Sequence, residues 1–370
     1  MALEERYENR LKSLRVARGV SQSELAETVG LTRQAIYMIE ASRYLPNATT
    51  ALRIAKALQC KVEDLFALDE GPQKVEAELL EEASSGGRMK LWKVGGRTWA
   101  LPLTTLEESA DALATSTVRK AKSQRKVVLQ SLQDPADIEN QVAVAGCDPA
   151  LSILADRLHR GREVTRVFVW PMGSTDALMN LARKKVHVAG THLRGPSGEF
   201  NRPFLRKHLG RRKLTVVTLA FWEVGLVVAR GNPKAIRSVS DLARRDVRIA
   251  NREKGSGARQ LLDRKLEEEG VSPRKVQGYR TVHSTHQEVA RRVLEGAADA
   301  AVAPLVMARL FGLGFVTLAD ERYDLVAPAE LVAAHRGVQR LLDALTSRSV
   351  RRELEALGGY DTQHSGEIVV

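Results

Sequence analysis

Cysteine is scarce in this 370-residue chain, which has only Cys60 and Cys147, far apart and without the spacing of metal ligands. Such usage predicts a reduced, cytoplasmic protein without structural disulfides. The chain also has no apolar run that approaches the length of a membrane span. Its charged N-terminus, MALEERYENRLKSLR, has no apolar signal region. We therefore expect no membrane partner.

Motifs of the common enzyme classes are also missing from the sequence. No phosphate loop ending in Gly-Lys-Ser/Thr occurs, and Gly255-Ser256-Gly257 lacks the third glycine of a dinucleotide fingerprint. Ser174 is followed by Thr175-Asp176 and so has no serine-hydrolase elbow. His283 and His286 have the spacing of a metal pair, but no acidic or cysteine ligands gather around them. We therefore predict no catalytic residues and no metal site, and do not expect an enzyme.

Length and composition indicate an ordinary globular protein of two or three domains, with 44% hydrophobic and 28% charged residues. The formal net charge of +12 suits a polyanionic partner. Between residues 6 and 66, however, ten Lys or Arg stand against six Asp or Glu. Net charge alone therefore supports nucleic-acid binding only weakly.

Residues 21–46, SQSELAETVGLTRQAIYMIEASRYLP, predict two short helices joined by a tight turn. Ser21 and Glu24 form a capping box, and Gly30 can take the positive φ that ends the first helix. Thr32 then caps a second helix, whose N-terminal polar face is that of a helix that enters the major groove. Arg suits guanine, Gln suits adenine, and a methionine can contact a thymine methyl. The predicted DNA-contacting residues are Gln22, Thr32, Arg33, Gln34, Tyr37, Met38 and Arg43.

Residues 7–66 resemble the XRE/Cro family of helix-turn-helix domains. The resemblance implies an all-α DNA-binding domain, placed at residues 1–70, and a double-stranded DNA operator as partner. One departure is Ala41-Ser42, where the family usually has glycine, so a slightly strained turn is expected at Ser42. Because one such unit reads only a short half-site, we expect a homodimer on a roughly palindromic operator.

Residues 71–140 are predicted to be a linker and a small connecting segment. Gly95-Gly96 between two apolar runs predicts a β-hairpin. Helices are predicted at residues 75–83 and 106–115. A basic helix through residues 119–126 either contacts DNA phosphates or, more commonly for such a cluster, forms a solvated face.

From residue 141 onward, strands and helices alternate, which predicts parallel sheets in two α/β lobes with a cleft between them. Residues 214–219 and 225–229 are predicted to be separate strands. Small and hydroxyl residues recur where strands give way to helix N-termini, which present unpaired N–H groups to anions. The predicted ligand-binding residues are Asp148, Ser174, Thr175, His192, Asn251, Ser256, Gly257, Arg259, Thr285 and His286. Cys147 is predicted to be a buried small residue.

Five segments carry a second resemblance: VAGCDPAL at 144–151, GTHL at 190–193, GNPK at 231–234, NREKGSGAR at 251–259 and ERYDL at 321–325. Over about residues 142–360 they resemble the PBP-like domain related to periplasmic molybdate-binding proteins. The resemblance implies a two-lobed α/β sensor domain at residues 141–370. Because this domain is often fused to an XRE-type helix-turn-helix, it also implies a cytoplasmic one-component regulator.

The resemblance implies a small anion, molybdate or tungstate, as the effector. It implies no cofactor. Two alternatives stay open. Trp222, Glu223, His192 and His286 would suit a small organic or sulfur-containing metabolite if they line the same cleft. The chain could instead be an enzyme of molybdenum-cofactor metabolism that carries a DNA-binding domain.

Overall fold

The computed structural model describes residues 7–68, 73–82, 86–106, 108–115, 126–161, 163–195 and 197–369. The chain divides into two compact units, Met1–Lys74 and Val75–Val370. The first is helical, and the second combines a small barrel with a two-lobed α/β domain. None of the helices in these described ranges is long and apolar enough to cross a membrane.

The first unit packs short helices around an apolar centre formed by Leu11, Leu25, Ile36, Ile39 and Ile54, all essentially inaccessible to solvent. A two-stranded antiparallel ribbon joins its ends. Its elements are β1 (Tyr7–Asn9), α1 (Leu11–Ala17), α2 (Gln22–Val29), α3 (Arg33–Glu40), α4 (Ala48–Ala57), α5 (Val62–Leu65) and β2 (Phe66–Leu68).

The turn between α2 and α3 has the predicted chemistry. Ser21 and Glu24 form a full capping box, Gly30 ends α2 with φ of 73°, and the Thr32 hydroxyl accepts from the Ala35 N–H at 3.1 Å. Ser42, where the family usually has glycine, has φ of 54° in the left-handed region. The helix-turn-helix prediction is therefore confirmed down to its caps.

The second unit begins with a closed five-stranded barrel of order β3-β5-β4-β6-β7. Its strands are β3 (Lys74–Leu79), β4 (Arg88–Val94), β5 (Arg97–Pro102), β6 (Ala112–Ala114) and β7 (Lys126–Ser131), and helix α6 (Pro135–Asn140) follows. Gly95 and Gly96 have φ of 63° and 73°, so the predicted hairpin between β4 and β5 is confirmed.

Two predicted helices in this region are wrong. Residues 75–83 contain most of β3, because buried Ala77 and Leu79 alternate with more exposed glutamates and give a period of two. Residues 106–115 contain β6, whose Ala112 and Ala114 point into the barrel core. Most of the predicted basic helix at 119–126 lies outside the described residues, and Lys126 begins β7.

The two-lobed domain is built on one mixed sheet of order β13-β12-β14-β11-β15-β10-β8-β9. Lobe 1 has β8 (Val142–Gly146), α7 (Ala150–His159), β9 (Val167–Pro171), α8 (Ser174–Ala182), β10 (Val188–Thr191) and α9 (Arg202–Leu209). After the crossing strand β11 (Leu214–Val228), lobe 2 has β12 (Ile249–Arg252), α10 (Gly257–Glu268), β13 (Val282–His283), α11 (His286–Leu294), β14 (Ala300–Pro304) and α12 (Leu305–Phe311). The chain returns through β15 (Gly314–Pro328) and ends with α13 (Ala329–Ala334), α14 (Arg336–Ala344), α15 (Arg348–Leu357) and β16 (Tyr360–Asp361).

Strands β11 and β15 run antiparallel through both lobes and connect them. One half of this pair lies beside β10 of lobe 1, and the other half lies beside β14 of lobe 2. The prediction of two separate strands at 214–219 and 225–229 is wrong, because β11 continues through Phe221-Trp222-Glu223 with register shifts on either side. The predicted two-lobed α/β architecture is confirmed, although its crossing strands are antiparallel.

The barrel is fixed to lobe 1 by apolar packing and by tryptophan hydrogen bonds. Trp92 and Trp99 share a buried cluster with Phe168 and other lobe 1 side chains. Their indole N–H groups donate to the carbonyl oxygens of Lys185, at 2.7 Å, and Lys184, at 3.0 Å. We infer that the barrel and lobe 1 move together, because these bonds and this core would have to break for them to separate.

Candidate functional site

The N-termini of helices from both lobes meet in the cleft. On the lobe 1 side, the buried Ser174 hydroxyl accepts from the backbone N–H of His192 at 3.2 Å, and Thr175 donates to the carbonyl of Gly255 in lobe 2 at 2.8 Å. A Cβ on Gly257 would lie 2.3 Å from the His192 ring and 2.6 Å from its carbonyl oxygen. The two lobes are therefore closed on each other, with no room for a larger residue at Gly257.

Four aromatic side chains enclose the centre of this contact. The His192 ring stacks on Tyr323 at 5.7 Å, meets Trp222 edge-on at 5.2 Å, and lies 5.9 Å from His286. All four are buried, with at most 3% of any of them exposed. Trp222 and Tyr323 come from the crossing strands, so the connection between the lobes also forms a wall of the site.

Tyr323 limits which residues can stand near the ends of strands β8 and β10 in lobe 1. Its hydroxyl accepts from the N–H of Cys147 at 3.1 Å. A Cβ on Gly146 or Gly190 would lie 2.4 Å or 2.1 Å from that hydroxyl. Both glycines are needed because no side chain fits between the strand ends and the ring.

Hydrogen bonds orient the two acidic groups of the site. Glu321 Oε2 lies 2.6 Å from His192 Nδ1. Asp148 Oδ1 accepts from the Tyr360 hydroxyl and from the Ala150 N–H, each at 2.7 Å. These contacts leave Nε2 of His192 and Oδ2 of Asp148 as the free atoms of their groups.

Several polar atoms around this centre are buried without a hydrogen-bond partner in the described part of the chain. They are Asp148 Oδ2, His192 Nε2, Trp222 Nε1, Arg252 Nη1 and both ring nitrogens of His286. Burying one such group unpaired costs about 1–3 kcal/mol, and native proteins rarely leave them so. Their concentration around one centre is the pattern of a site whose polar atoms are completed by a ligand.

Burial and neighbouring charges shift the pKa values of the two histidines in opposite directions. Burial opposes charge on His192, but Cys147 and Glu321 outweigh it and raise the pKa of the imidazole from 6.5 to about 10. Burial, with the charges of Arg252 and His192, holds the pKa of His286 well below its usual value. Burial also raises the pKa of the Asp148 carboxyl from 3.8 to about 6, against the hydrogen bond from Tyr360. At neutral pH the site therefore pairs a charged imidazole with a neutral one.

An open pocket of about 560 Å³ lies beside this buried centre, lined by Phe221, Trp222, Glu223, Asp320, Gly359, Tyr360, Asp361 and His364. Trp222 and Tyr360 take part in both the pocket and the buried centre. Three of the lining residues are acidic, so their negative charges make the pocket favourable for a cation.

The candidate DNA interface lies on α3 of the first unit. Arg33, Gln34, Tyr37 and Arg43 are exposed, and Met38 is partly exposed. Thr32 caps the helix that carries them. Behind this face, the Gln22 amide donates to Glu40 at 2.8 Å, and the predicted contact of Gln22 with DNA would compete with that bond.

Comparisons with known proteins agree with both halves of the chain. Residues 155–346 match the model of the PBP superfamily domain, which is about half of the chain, and residues 11–65 match a helix-turn-helix model. The protein YvgK of Bacillus subtilis is 32% identical over 230 residues, which cover 62% of this chain and 73% of YvgK. The chain belongs to the PBP superfamily.

Two further relatives describe its parts. YgzD of Bacillus subtilis, named as an HTH-type transcriptional regulator, is 48% identical over 62 residues, which are 17% of this chain and 94% of YgzD. A putative phosphate ABC transporter substrate-binding protein from Clostridium perfringens matches with a TM-score of 0.47 and 13% identity, over 60% of this chain and 98% of its own. The two family matches together join a helix-turn-helix DNA-binding domain to a PBP domain, a combination that suggests ligand-responsive regulation.

Within the PBP domain, the structure gathers half of the predicted ligand residues at the buried centre. Asp148, Ser174, His192, Gly257 and His286 meet there. Thr175 lies at the contact between the lobes, where its hydroxyl is bonded to Gly255.

The other predicted ligand residues have internal partners instead. Ser256 and Thr285 cap α10 and α11, and Asn251 donates to the Tyr279 carbonyl at 2.9 Å. The Arg259 guanidinium, predicted to bind an anion, bonds to Asp263 at 2.9 Å and lies over the Tyr279 ring at 3.9 Å. Its charge is already paired within the helix, and an anion at Arg259 would compete with Asp263.

The sequence analysis named Trp222 only as a possible wall of the cleft, and it did not indicate five other residues of the centre: Cys147, Arg252, Glu321, Tyr323 and Tyr360. The segments GCDP and ERYDL contain three of them, but nothing in their spacing shows that they meet. The expectation that no cysteine gathers near His286 is wrong, because ligand atoms of Cys147, His192 and His286 all lie within 4.8 Å of one another. His283 is not part of this group.

Proposed function

We propose that this protein is a transcriptional regulator whose affinity for operator DNA depends on a small ligand enclosed between the lobes of its PBP domain. The observation that carries the proposal is the set of buried polar atoms, from both lobes and from the crossing strands, that have no partner among the residues the structure describes. A ligand that completes them stabilises the closed arrangement, because only there do both lobes contribute bonds.

For the class of ligand, we propose a small oxyanion such as molybdate or tungstate. The Trp222 indole N–H and Arg252 Nη1 support it, because they are donors that lack acceptors among the described residues. Helix N-termini around the centre add a partial positive charge. The carboxylates of Asp148 and Glu321 oppose a free anion. A larger organic metabolite is less favoured, because the centre is closed and fully buried.

The regulator is favoured over an enzyme of molybdenum-cofactor metabolism by the helix-turn-helix domain and by its exposed α3 face. We propose a homodimer that binds two half-sites spaced by one helical turn, about 34–36 Å. Among the described residues, the barrel is the first element after the DNA-binding domain along the chain, and it is fixed to lobe 1. Lobe closure can thus reach the DNA-binding domain through the barrel.

Thermodynamic linkage gives the test. A fluorescence titration with molybdate, tungstate, phosphate or Zn²⁺, run with and without operator DNA, should give dissociation constants that differ about 5- to 150-fold for the effector. Equal constants, with both partners bound, would refute ligand control of DNA binding.

Gly257→Ala tests whether closure of the lobes is needed for this linkage. Its Cβ would collide with the ring and carbonyl of His192 in the opposite lobe, so closure should be blocked and the linkage lost. Gly161→Ala is the control, since its Cβ would meet nothing closer than 3.6 Å. If both variants keep the wild-type linkage, closure of the lobes is not the regulatory step.

A further inference from the structure

The buried centre contains three side chains with the chemistry of metal ligands. Cys147 follows β8 and His192 follows β10 in lobe 1, whereas His286 begins α11 in lobe 2. Their ligand atoms all lie within 4.8 Å of one another. From this geometry we propose that Cys147, His192 and His286 bind one transition-metal ion of the zinc class, which bridges the two lobes. The inference rests on the proposed function in placing the ion at the effector site.

The separations need only a small contraction to suit such an ion. Zinc binds histidine nitrogen at about 2.0–2.1 Å and cysteine sulfur at about 2.3 Å, so tetrahedral ligand atoms lie about 3.3–3.6 Å apart. From the upper bound of 4.8 Å, the atoms would move together by little more than about one ångström. Side-chain rotations of that size require no rearrangement of the strands that carry them.

The hydrogen bonds already present leave the metal-binding nitrogens without a protein partner in the described ranges, and an ion that binds His192 displaces its proton. His192 Nδ1 is held by Glu321 at 2.6 Å, and Nε2 is buried with no partner within the described ranges. A carboxylate on one imidazole nitrogen and a metal on the other is a common arrangement, in which the carboxylate fixes the ring and strengthens the ligand. Both nitrogens of His286 are equally unpartnered there. Glu321 is therefore a positioning residue.

The carboxylates around the centre favour a cation once His192 has lost its proton. The fully buried Arg252 bonds to both carboxylate oxygens of Glu253 at 2.8 Å, so its charge is compensated. Asp148 adds a carboxylate to the centre, and Glu223, Asp320 and Asp361 line the open pocket beside it.

A metal with three protein ligands keeps a fourth position for water or another small ligand. An oxyanion bound there would lie among the donors of Trp222 and Arg252. A metal ion and an oxyanion effector are therefore compatible at this centre.

Cobalt spectroscopy tests the three ligands directly. Metal-stripped, full-length protein titrated with Co²⁺ should bind one equivalent and show a thiolate-to-cobalt charge-transfer band, which Zn²⁺ should abolish by displacement. Cys147→Ser should lose the band, whereas Cys60→Ser, which changes the other free cysteine, should keep it. Glu321→Gln should weaken Zn²⁺ binding about 10- to 100-fold while leaving the band. No binding of Co²⁺, or a band that follows Cys60, would overturn the proposal.

A second measurement needs no variant. Zn²⁺ should protect Cys147 from alkylation by iodoacetamide, read by mass spectrometry, and should leave the Cys60 rate unchanged. Equal alkylation of Cys147 with and without Zn²⁺ would also overturn the site.

The operator titration separates this inference from the proposed function. If molybdate alters operator affinity in metal-stripped protein that binds no Zn²⁺, the metal site fails and the regulator stands. If Zn²⁺ binds through Cys147 but no probe alters operator affinity, the metal site stands and the regulator fails.

Discussion

His187 gives a quantitative test of how the barrel is joined to the PBP domain. The side chain is fully buried, just before β10. Its Nδ1 accepts from the Ala143 N–H of β8 at 2.9 Å, so Nε2 carries the proton and donates to the Lys93 carbonyl of β4 at 3.0 Å. The ring therefore connects lobe 1 to the barrel only while it is neutral.

The pKa of His187 makes this connection sensitive to acid. Burial and the neighbouring His335, whose ring centroid is 4.9 Å away, lower the pKa from 6.5 to about 3. The unfolded chain therefore binds a proton between these values that the folded chain excludes, so stability is present above pH 6.5 and is lost as pH falls. At about 1.36 kcal/mol per unit, the loss is about 2 kcal/mol at pH 5 and about 4 kcal/mol near pH 3.

Urea unfolding of the second unit at pH 7.5 and pH 5 measures this loss. His187→Gln cannot be protonated, so its fall in stability between the two pH values should be about 2 kcal/mol smaller than that of the unmodified protein. The variant should be less stable at pH 7.5, because glutamine does not reproduce both hydrogen bonds. The exposed His159, changed to glutamine, is the control and should keep the full pH dependence. If the stability of His187→Gln falls as much as that of the unmodified protein, the inference that the folded protein holds the His187 ring neutral is refuted.

The DNA-binding unit gives two further predictions. Arg33→Ala should cost about 1–3 kcal/mol on the operator and relax preference at one base pair, as measured by binding to single-base variants. Equal weakening on random DNA would show that Arg33 contacts only phosphate. Glu40→Gln should destabilise the unit by about 3–5 kcal/mol in urea unfolding, because it leaves the buried Arg15, paired with Glu40 at 2.5 Å, without its counter-charge. A loss below about 1 kcal/mol would mean that water compensates Arg15.

The DNA-binding unit could be predicted closely because its signals are local. Ser21, Glu24, Gly30 and Thr32 determine the caps and the turn within twelve residues, and the structure confirms each of them. The barrel gave weaker signals. Its β6 has only three residues, and the glutamates of β3 favoured a helix over the period of two that Ala77 and Leu79 carry.

Only part of the candidate site could be predicted from sequence patterns. The strand-to-helix loops at Asp148, Ser174 and His286 could be found, because each combines a strand end with a helix cap. Their contact with Tyr323 could not be predicted, because Asp148 and Tyr323 are 175 residues apart and no periodic pattern in the sequence links them. Arg259 shows a contact that the sequence analysis did not consider, since a helix-start arginine suggests an anion ligand, yet its partner Asp263 lies one turn along the same helix.

The crossing strands explain why a ligand at this centre would control the position of the lobes. Trp222 of β11 pairs in register with Glu321 of β15, and Tyr323 lies two residues further along. All three lie between the register shifts at Thr218/Ala220 and Val224/Gly225, where the ladder of backbone bonds is interrupted and bending is easiest. The side chains that enclose the ligand are thus carried by the segment that must bend when the lobes separate. A ligand held by Cys147 and His192 on one side and His286 on the other would therefore resist that bending directly.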